Sequence, residues 1–65
     1  MNDVVLRPRK LSPHEFIVDV VDDFTGDVLE RTDLHMSLES AMHDAWSRTF
    51  DAFDVRCVLD LEEAP

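Results

Sequence analysis

The sequence is poor in several residue types, and each shortage excludes a class of protein or site. It has one glycine, Gly26, so a glycine-rich phosphate-binding loop is excluded. Its one cysteine, Cys57, cannot form an internal disulfide, which favours a reducing cytosol. No apolar run approaches the roughly 18 residues of a membrane-spanning helix, and the N-terminus lacks the apolar stretch of an export signal. We therefore expect a cytoplasmic protein.

Basic residues are also scarce. Six lysines and arginines stand against fifteen aspartates and glutamates, which gives a net charge of −9. Half of the basic residues, Arg7, Arg9 and Lys10, lie in the first ten positions, so the rest of the chain is more acidic still. A surface of this charge repels nucleic acids and anionic membranes. We expect neither to be a direct ligand.

The apolar content indicates a folded chain despite its small size. The 65 residues are 45% hydrophobic and include Trp46 and four phenylalanines. A disordered acidic tail would lack these residues. We therefore expect residues 1–65 to form a single small domain, close to the lower size limit for folding without disulfides or metal.

Alternating apolar residues predict two strands in the first third of the chain. The run from Val4 to Leu6 predicts a short strand that stops at Pro8, because proline cannot donate to a sheet and is typical of edge strands. From His14 to Asp22 the sequence has a period of two, which is typical of a strand. Its inward side chains would be Phe16, Val18 and Val20, and its outward ones Glu15, Ile17, Asp19 and Val21.

The segment from Asp22 to Asp27 predicts a hairpin turn, in which Gly26 supplies a positive φ. The following run returns antiparallel. Regular pairing would put Leu29 beside Val20, and would place Val28 and Glu30 on the outer face with Asp19 and Val21.

A helix follows, with Ser37 as its N-cap and Glu39 in its first turn. Apolar residues then recur with a period of 3.6 as far as Phe53, and we expect the helix to end near Ala52. Alternation over residues 54–62 predicts a last strand, with residues 62–65 as a frayed tail. The predicted fold is α+β: an antiparallel sheet in the order strand, strand, strand, helix, strand, with the helix on one face.

The two periodicities converge on a predicted hydrophobic core. Its members are Val4, Leu6, Phe16, Val18, Val20, Leu29, Leu38, Met42, Ala45, Trp46, Phe50, Val55, Cys57 and Leu59.

Few residues could support catalysis or metal binding. His14, His35 and His43 are scattered, and although His35 and His43 could approach Asp44, no spacing matches a zinc site. The turn at residues 22–27 lacks the ligand order of a calcium loop, and Cys57 falls at an inward strand position typical of a buried structural thiol. We expect no enzyme, no metal and no cofactor.

The acidic residues support two interpretations. The modest one is a charged surface that keeps a small protein soluble. The other is an interaction surface, because stiff carboxylates about 6.6 Å apart along a strand resemble nucleic-acid phosphates and would attract a protein with a basic nucleic-acid-binding site. The outward valines and isoleucine add apolar area, which favours the second. The candidate partner-binding residues are Glu15, Ile17, Asp19, Val21, Asp23, Asp27, Glu30, Glu39, Asp44, Asp51 and Asp60.

Size, charge and aspartate-rich strands give the chain a resemblance to small phage-encoded inhibitors that mimic nucleic acid, including anti-CRISPR proteins. That resemblance implies a stoichiometric inhibitor in a bacterial host that blocks DNA loading by its target. The stretch from Phe16 to Trp46 also resembles small antitoxins with a strand–strand–strand–helix core, since a hairpin is followed by Thr32-Asp33 and then by Ser37-Leu38-Glu39-Ser40-Ala41 at the start of an alanine-rich helix. This second resemblance implies a regulatory module that binds a partner protein through its open sheet face.

We accordingly expect an inhibitor that covers the basic nucleic-acid-binding surface of a partner protein. We also expect a monomer or a weak dimer, because self-association would bring like charges together.

Overall fold

A computed structural model describes residues 3–49, 52, 54–58 and 62–63 of the protein. Five strands and one helix follow each other along the chain. They are β1 (Asp3–Ser12), β2 (Glu15–Asp22), β3 (Val28–Arg31), α1 (Leu38–Ser47), β4 (Asp54–Cys57) and β5 (Glu62–Glu63). The α+β class with a single helix is confirmed. The predicted order is incomplete, because Glu62 and Glu63 form β5 where a frayed tail was expected.

The sheet is mixed, and the prediction of a purely antiparallel sheet is wrong. Its strand order is β3-β2-β1-β4, and β5 pairs with β1 further along that strand. β1, β2 and β3 are antiparallel neighbours, whereas β4 and β5 run parallel to β1. The long connection through α1 explains the difference, since a crossover that contains a helix lets the chain return in its original direction.

β1 is an interior strand that continues through Pro8, so the prediction that it ends there at a sheet edge is wrong. Pro8 pairs with Val18 of β2. On the other side of β1, the described part of β4 pairs as far as Leu6, and β5 pairs from Arg9 onward. Pro8 thus lies between the two parallel pairings, where its missing N–H removes no described ladder hydrogen bond.

The hairpin between β2 and β3 forms as predicted. Gly26 has a φ of +82°, which is the conformation that favours glycine. The Asp22 amide donates to the Asp27 carbonyl at 2.8 Å, and the Asp22 carboxylate accepts from the amides of Phe24 and Thr25 at 2.8 and 3.0 Å. These bonds satisfy the turn backbone and hold Asp22 in place.

α1 begins as predicted and ends earlier. Ser37 is the N-cap, with extended backbone and a side chain that accepts from the Ser40 amide at 3.2 Å. The helix ends at Ser47 rather than near Ala52. Past that end, the Thr49 hydroxyl donates to the Trp46 carbonyl at 2.8 Å, and this side-chain bond helps to satisfy the helix terminus.

The hydrophobic core lies between α1 and one face of β1 and β2, which we call the helix side of the sheet. The opposite face of the sheet is the open face. The buried members of the core are Val4, Leu6, Val18, Val20, Ala41 and Ala45, and Phe16, Met42, Ala52 and Val55 pack against them. Ala41 and Ala45 are fully buried, which shows that α1 faces the sheet with its smallest side chains. Such residues let a helix approach a sheet closely.

Three predicted core residues lie at the surface instead. Trp46 is 48% exposed, Leu29 is 48% exposed, and Cys57 is an exposed free thiol. Trp46 directly follows the buried Ala45 and so lies to one side of the helix face that packs on the sheet. Cys57 lies on β4, an outer strand of the described sheet. Leu38 is half-buried, while Phe50 and Leu59 lie outside the described residues.

Within the described part of the chain, no helix is long and apolar enough to cross a membrane.

Candidate interaction surface

An extra residue in β3 changes which charges share a face. Val21 pairs with Val28 as predicted, but Val20 then pairs with Glu30 and Asp19 with Arg31. Leu29 is the additional residue, and it forms a β-bulge. Because side chains alternate, one inserted residue moves every later side chain to the other face. Glu30 therefore lies on the helix side of the sheet, and Arg31 takes the place beside Asp19 that the sequence assigned to Glu30.

A second insertion follows in the connector between β3 and α1. The Thr32 amide donates to the Val18 carbonyl at 3.1 Å, and Phe16 and His35 exchange two backbone bonds of 2.8 and 2.9 Å. Two steps along β2, from Val18 to Phe16, are thus matched by three steps from Thr32 to His35. Residues 28–36, which we call the edge segment, run along β2 with two extra residues.

Asp19 is neutralised rather than presented to a partner. It is only 6% exposed and accepts two bonds from Arg31, from Nε at 2.6 Å and from Nη2 at 3.3 Å. Arg9 lies on its other side, with 3.8 Å between its nitrogen and the carboxylate. The hydrogen bond from Arg31 to Asp19 raises the pKa of this guanidinium further above its ordinary value.

The open face of the sheet carries arginines in place of the expected row of acids. Arg7 pairs with Asp19, Arg9 with Ile17, Arg31 with Asp19, and Arg56 with Val5. Ile17 and Val21 are 6% and 8% exposed, so the expectation that they form an exposed apolar surface is wrong. Arginines lie at neighbouring positions of this face, and the aliphatic stems of arginine side chains commonly cover apolar surface.

The other predicted partner-binding acids are dispersed. Glu15 and Glu39 are exposed, and Asp27 is exposed beside the Thr25 hydroxyl, which donates to it at 3.2 Å. Asp23 accepts from Arg56 at 2.7 Å. Two of the predicted residues, Asp51 and Asp60, lie outside the described residues.

Three carboxylates gather around one guanidinium on the helix side. Arg48 lies 2.9 Å from Asp44, 3.4 Å from Glu30 and 3.9 Å from Asp33. We call these four residues the Arg48 cluster. Asp44 comes from α1, and Glu30 and Asp33 come from the edge segment, so the cluster ties the edge segment to the helix. Its charge of three carboxylates and one guanidinium is net negative.

His35 links the edge segment to α1 and extends this cluster. Its Nδ1 lies 2.8 Å from the Ser40 hydroxyl, and its Nε2 lies 2.8 Å from Asp44. The suggested approach of His35 to Asp44 is confirmed, whereas His43 is exposed beside the same shallow groove along α1. Hydrogen bonds from His35 and then Arg48 lower the pKa of Asp44 below 3.8. The residues described form no group of three or more ligands that could hold a metal ion.

Four large apolar side chains of the edge segment are exposed. Leu29, Leu34 and Met36 are 48%, 58% and 82% exposed. Val28 is also half exposed, and Phe24 projects from the preceding hairpin. Sequence reasoning missed Leu34 and Met36, although two large apolar residues in a polar connector were a signal that could have found them.

No family model, no curated protein and no solved structure matches this chain.

Proposed function

We propose that the protein is an acidic inhibitor that binds a partner protein and covers its nucleic-acid-binding site by mimicking phosphate charge. An anti-CRISPR or similar anti-defence role fits this activity. The observation that carries the proposal is the gathering of Glu30, Asp33 and Asp44 around the single guanidinium of Arg48. One cation cannot neutralise three carboxylates, so this side of the molecule keeps a negative field.

The geometry supports charge presentation from this side. Asp44 is held on two sides by Arg48 and His35, which fixes its position. Glu30 and Asp33 are more open, with side chains 51% and 92% exposed. Exposed Glu39 in the first turn of α1 adds a fourth carboxylate. Fixed carboxylates attract a basic site at long range and compete there with phosphates.

The proposed surface differs from the one that the sequence suggested. Asp19 is paired with Arg31, and arginines occupy the open face around it. The acids that could substitute for phosphates are therefore those of the helix side. The antitoxin-like alternative, a module that binds a partner protein through its open sheet face, would use a face on which Ile17 and Val21 are buried.

A charge-reversal experiment tests the proposal. The tagged protein is produced in bacterial cells, and the proteins that it retains are identified and purified. Each is then tested for displacement of bound DNA or RNA by the inhibitor. The variant Asp33→Lys/Glu39→Lys should lose this displacement, because it replaces two exposed carboxylates of the helix side with cations.

The matched control is Asp3→Lys/Glu15→Lys, which makes the same change in net charge at exposed positions on β1 and β2. It should retain displacement. Binding should also weaken steeply with salt, since both ligands use the same cations. A partner that holds the protein and nucleic acid together would contradict the proposal, as would equal losses in the two variants.

A further inference from the structure

We propose that the edge segment, residues 28–36, is the contact surface for a basic protein that presents apolar side chains between its lysines or arginines. This inference deepens the proposed function and rests on it for the existence of a basic partner. It adds an apolar anchor, supplied by Leu29 and Leu34, to the electrostatic contact.

The two insertions in the edge segment present these leucines. Leu29 is the bulge residue of β3, and Leu34 lies where three steps of the edge segment match two steps of β2. An inserted residue leaves the regular alternation of a strand, so its side chain need not enter the core. Both leucines are about half exposed as a result.

The same insertions make the edge unsuitable for strand addition. In the described sheet β3 is a terminal strand, paired only with β2. A regular edge strand would invite another strand, whereas bulges and charges on an edge oppose such pairing. We therefore infer a contact made by side chains rather than by a continuous backbone ladder.

Charge decides what kind of molecule fits this surface. Each exposed leucine is next to an acid in the sequence, Leu29 to Glu30 and Asp33 to Leu34. A partner that offers an apolar side chain beside a cation matches both halves of each pair. A second copy of this chain would place the acids of two edge segments together, and nucleic acid would be repelled by them. A basic protein surface is the occupant that remains.

A peptide of defined sequence tests the inference directly and does not require the partner to be identified. The probe is Lys-Leu-Lys-Lys-Leu-Lys, titrated into isotope-labelled protein and followed by the amide chemical shifts. Shifts should concentrate on residues 28–36. A Lys-Ser-Lys-Lys-Ser-Lys peptide, with equal charge and no apolar anchor, should bind about a hundredfold more weakly, because it loses two half-buried leucine contacts that are each worth about tenfold.

Protein variants make the test independent of the peptide. Leu34→Ser should weaken binding of the leucine peptide about tenfold, because the protein then loses one of its two leucine contacts with the peptide. The matched control is Leu11→Ser, which removes an exposed leucine from β1. It should have no effect. Thermal melting of both variants shows whether the fold is intact, and Leu29→Ser provides a second position.

Several results would overturn the inference. Equal binding of the two peptides would mean that charge alone attracts them. Shifts confined to the open sheet face would place the contact elsewhere. Shifts on residues 28–36 that depend on protein concentration alone would show that a second copy covers the edge segment.

One result separates this inference from the proposed function. If the peptide binds at the edge segment but the protein never displaces nucleic acid from a partner, the proposed function is refuted and this inference stands.

Discussion

Arg31 on β3 binds the carboxylate of Asp19 on β2 through two nitrogens, Nε at 2.6 Å and Nη2 at 3.3 Å. Asp19 is buried, whereas the Arg31 side chain is half exposed. The pair lies on the face where regular pairing would have placed Asp19 beside Glu30. The bulge at Leu29 thus converts a repulsive pair of carboxylates into an attractive ion pair.

We expect Arg31→Met to destabilise the protein. The substitution removes both hydrogen bonds that Arg31 donates to the buried carboxylate of Asp19. A buried acceptor that loses its partner costs about 1–3 kcal/mol. Urea unfolding measures the change. Arg56→Met is the control, since its partner Asp23 is more exposed and the pair contributes little. Equal stability of the Arg31→Met variant and the unmodified protein would show that Asp19 does not depend on this pair.

Deletion of Leu29 tests the bulge directly. With that residue gone, regular pairing would put Glu30 beside Asp19 and move Arg31 to the helix side. Like charges opposite each other destabilise a sheet. We expect the deletion variant to melt at a clearly lower temperature than Leu29→Ala, which keeps the extra residue and removes only an exposed side chain. Similar melting temperatures would indicate that the hairpin accommodates either register.

The bulge also shows where prediction from the sequence reaches its limit. Alternation located β2, and the hairpin turn with Gly26 followed from local backbone chemistry. Register past the turn depends on a single inserted residue, and no local pattern marks Leu29 as that residue. The side-chain position of Glu30 was wrong for this reason, and with it the surface that was expected to face a partner.

Parallel pairing of β4 escaped prediction for a different reason. Its apolar pattern is the same whether it runs parallel or antiparallel to β1, so alternation carries no information on direction. The helix was more predictable, because the Ser37 cap and the 3.6-residue period are local signals. Trp46 was nevertheless assigned to the core, because it falls on the 3.6-residue apolar period, whereas the structure buries Ala41 and Ala45 on that helix and leaves Trp46 half exposed.

Core substitutions should therefore follow the burial in the structure. Leu6 is fully buried between the sheet and α1, and Leu6→Ala should cost about 2–5 kcal/mol. Trp46→Ala should cost much less, because its side chain is half exposed. Chemical unfolding of both variants gives the comparison, and acrylamide should quench Trp46 fluorescence in the native protein. A larger loss for Trp46→Ala would place this side chain in the core after all.

Acid should weaken the fold partly through Asp44. Hydrogen bonds from His35 and Arg48 lower the pKa of Asp44 in the folded protein below 3.8. The folded state therefore holds this proton less tightly than the unfolded chain. The resulting stabilisation is fully present above pH 3.8 and is lost as the pH falls through the lower folded-state pKa. The free energy of unfolding should fall less steeply below that pH in Asp44→Asn than in the unmodified protein.

Glu39→Gln is the control for this pH series, since Glu39 is an exposed acid of the same helix. An unchanged acid limb in Asp44→Asn would show that other groups cause the loss.

The salt dependence of self-association should report which surfaces meet. If two edge segments meet, the acids Glu30 and Asp33 of both copies come together, and repulsion is strongest at low ionic strength, where the Debye length is about 30 Å at 0.01 M. We expect a monomer under those conditions and at most a weak dimer that tightens as salt rises. Sedimentation velocity across a salt series measures this. Association that is tight at low salt and weakens as salt is added would contradict the expectation. It would indicate instead that the arginines of one open sheet face bind the Arg48 cluster of another copy, a contact between opposite charges that salt screens.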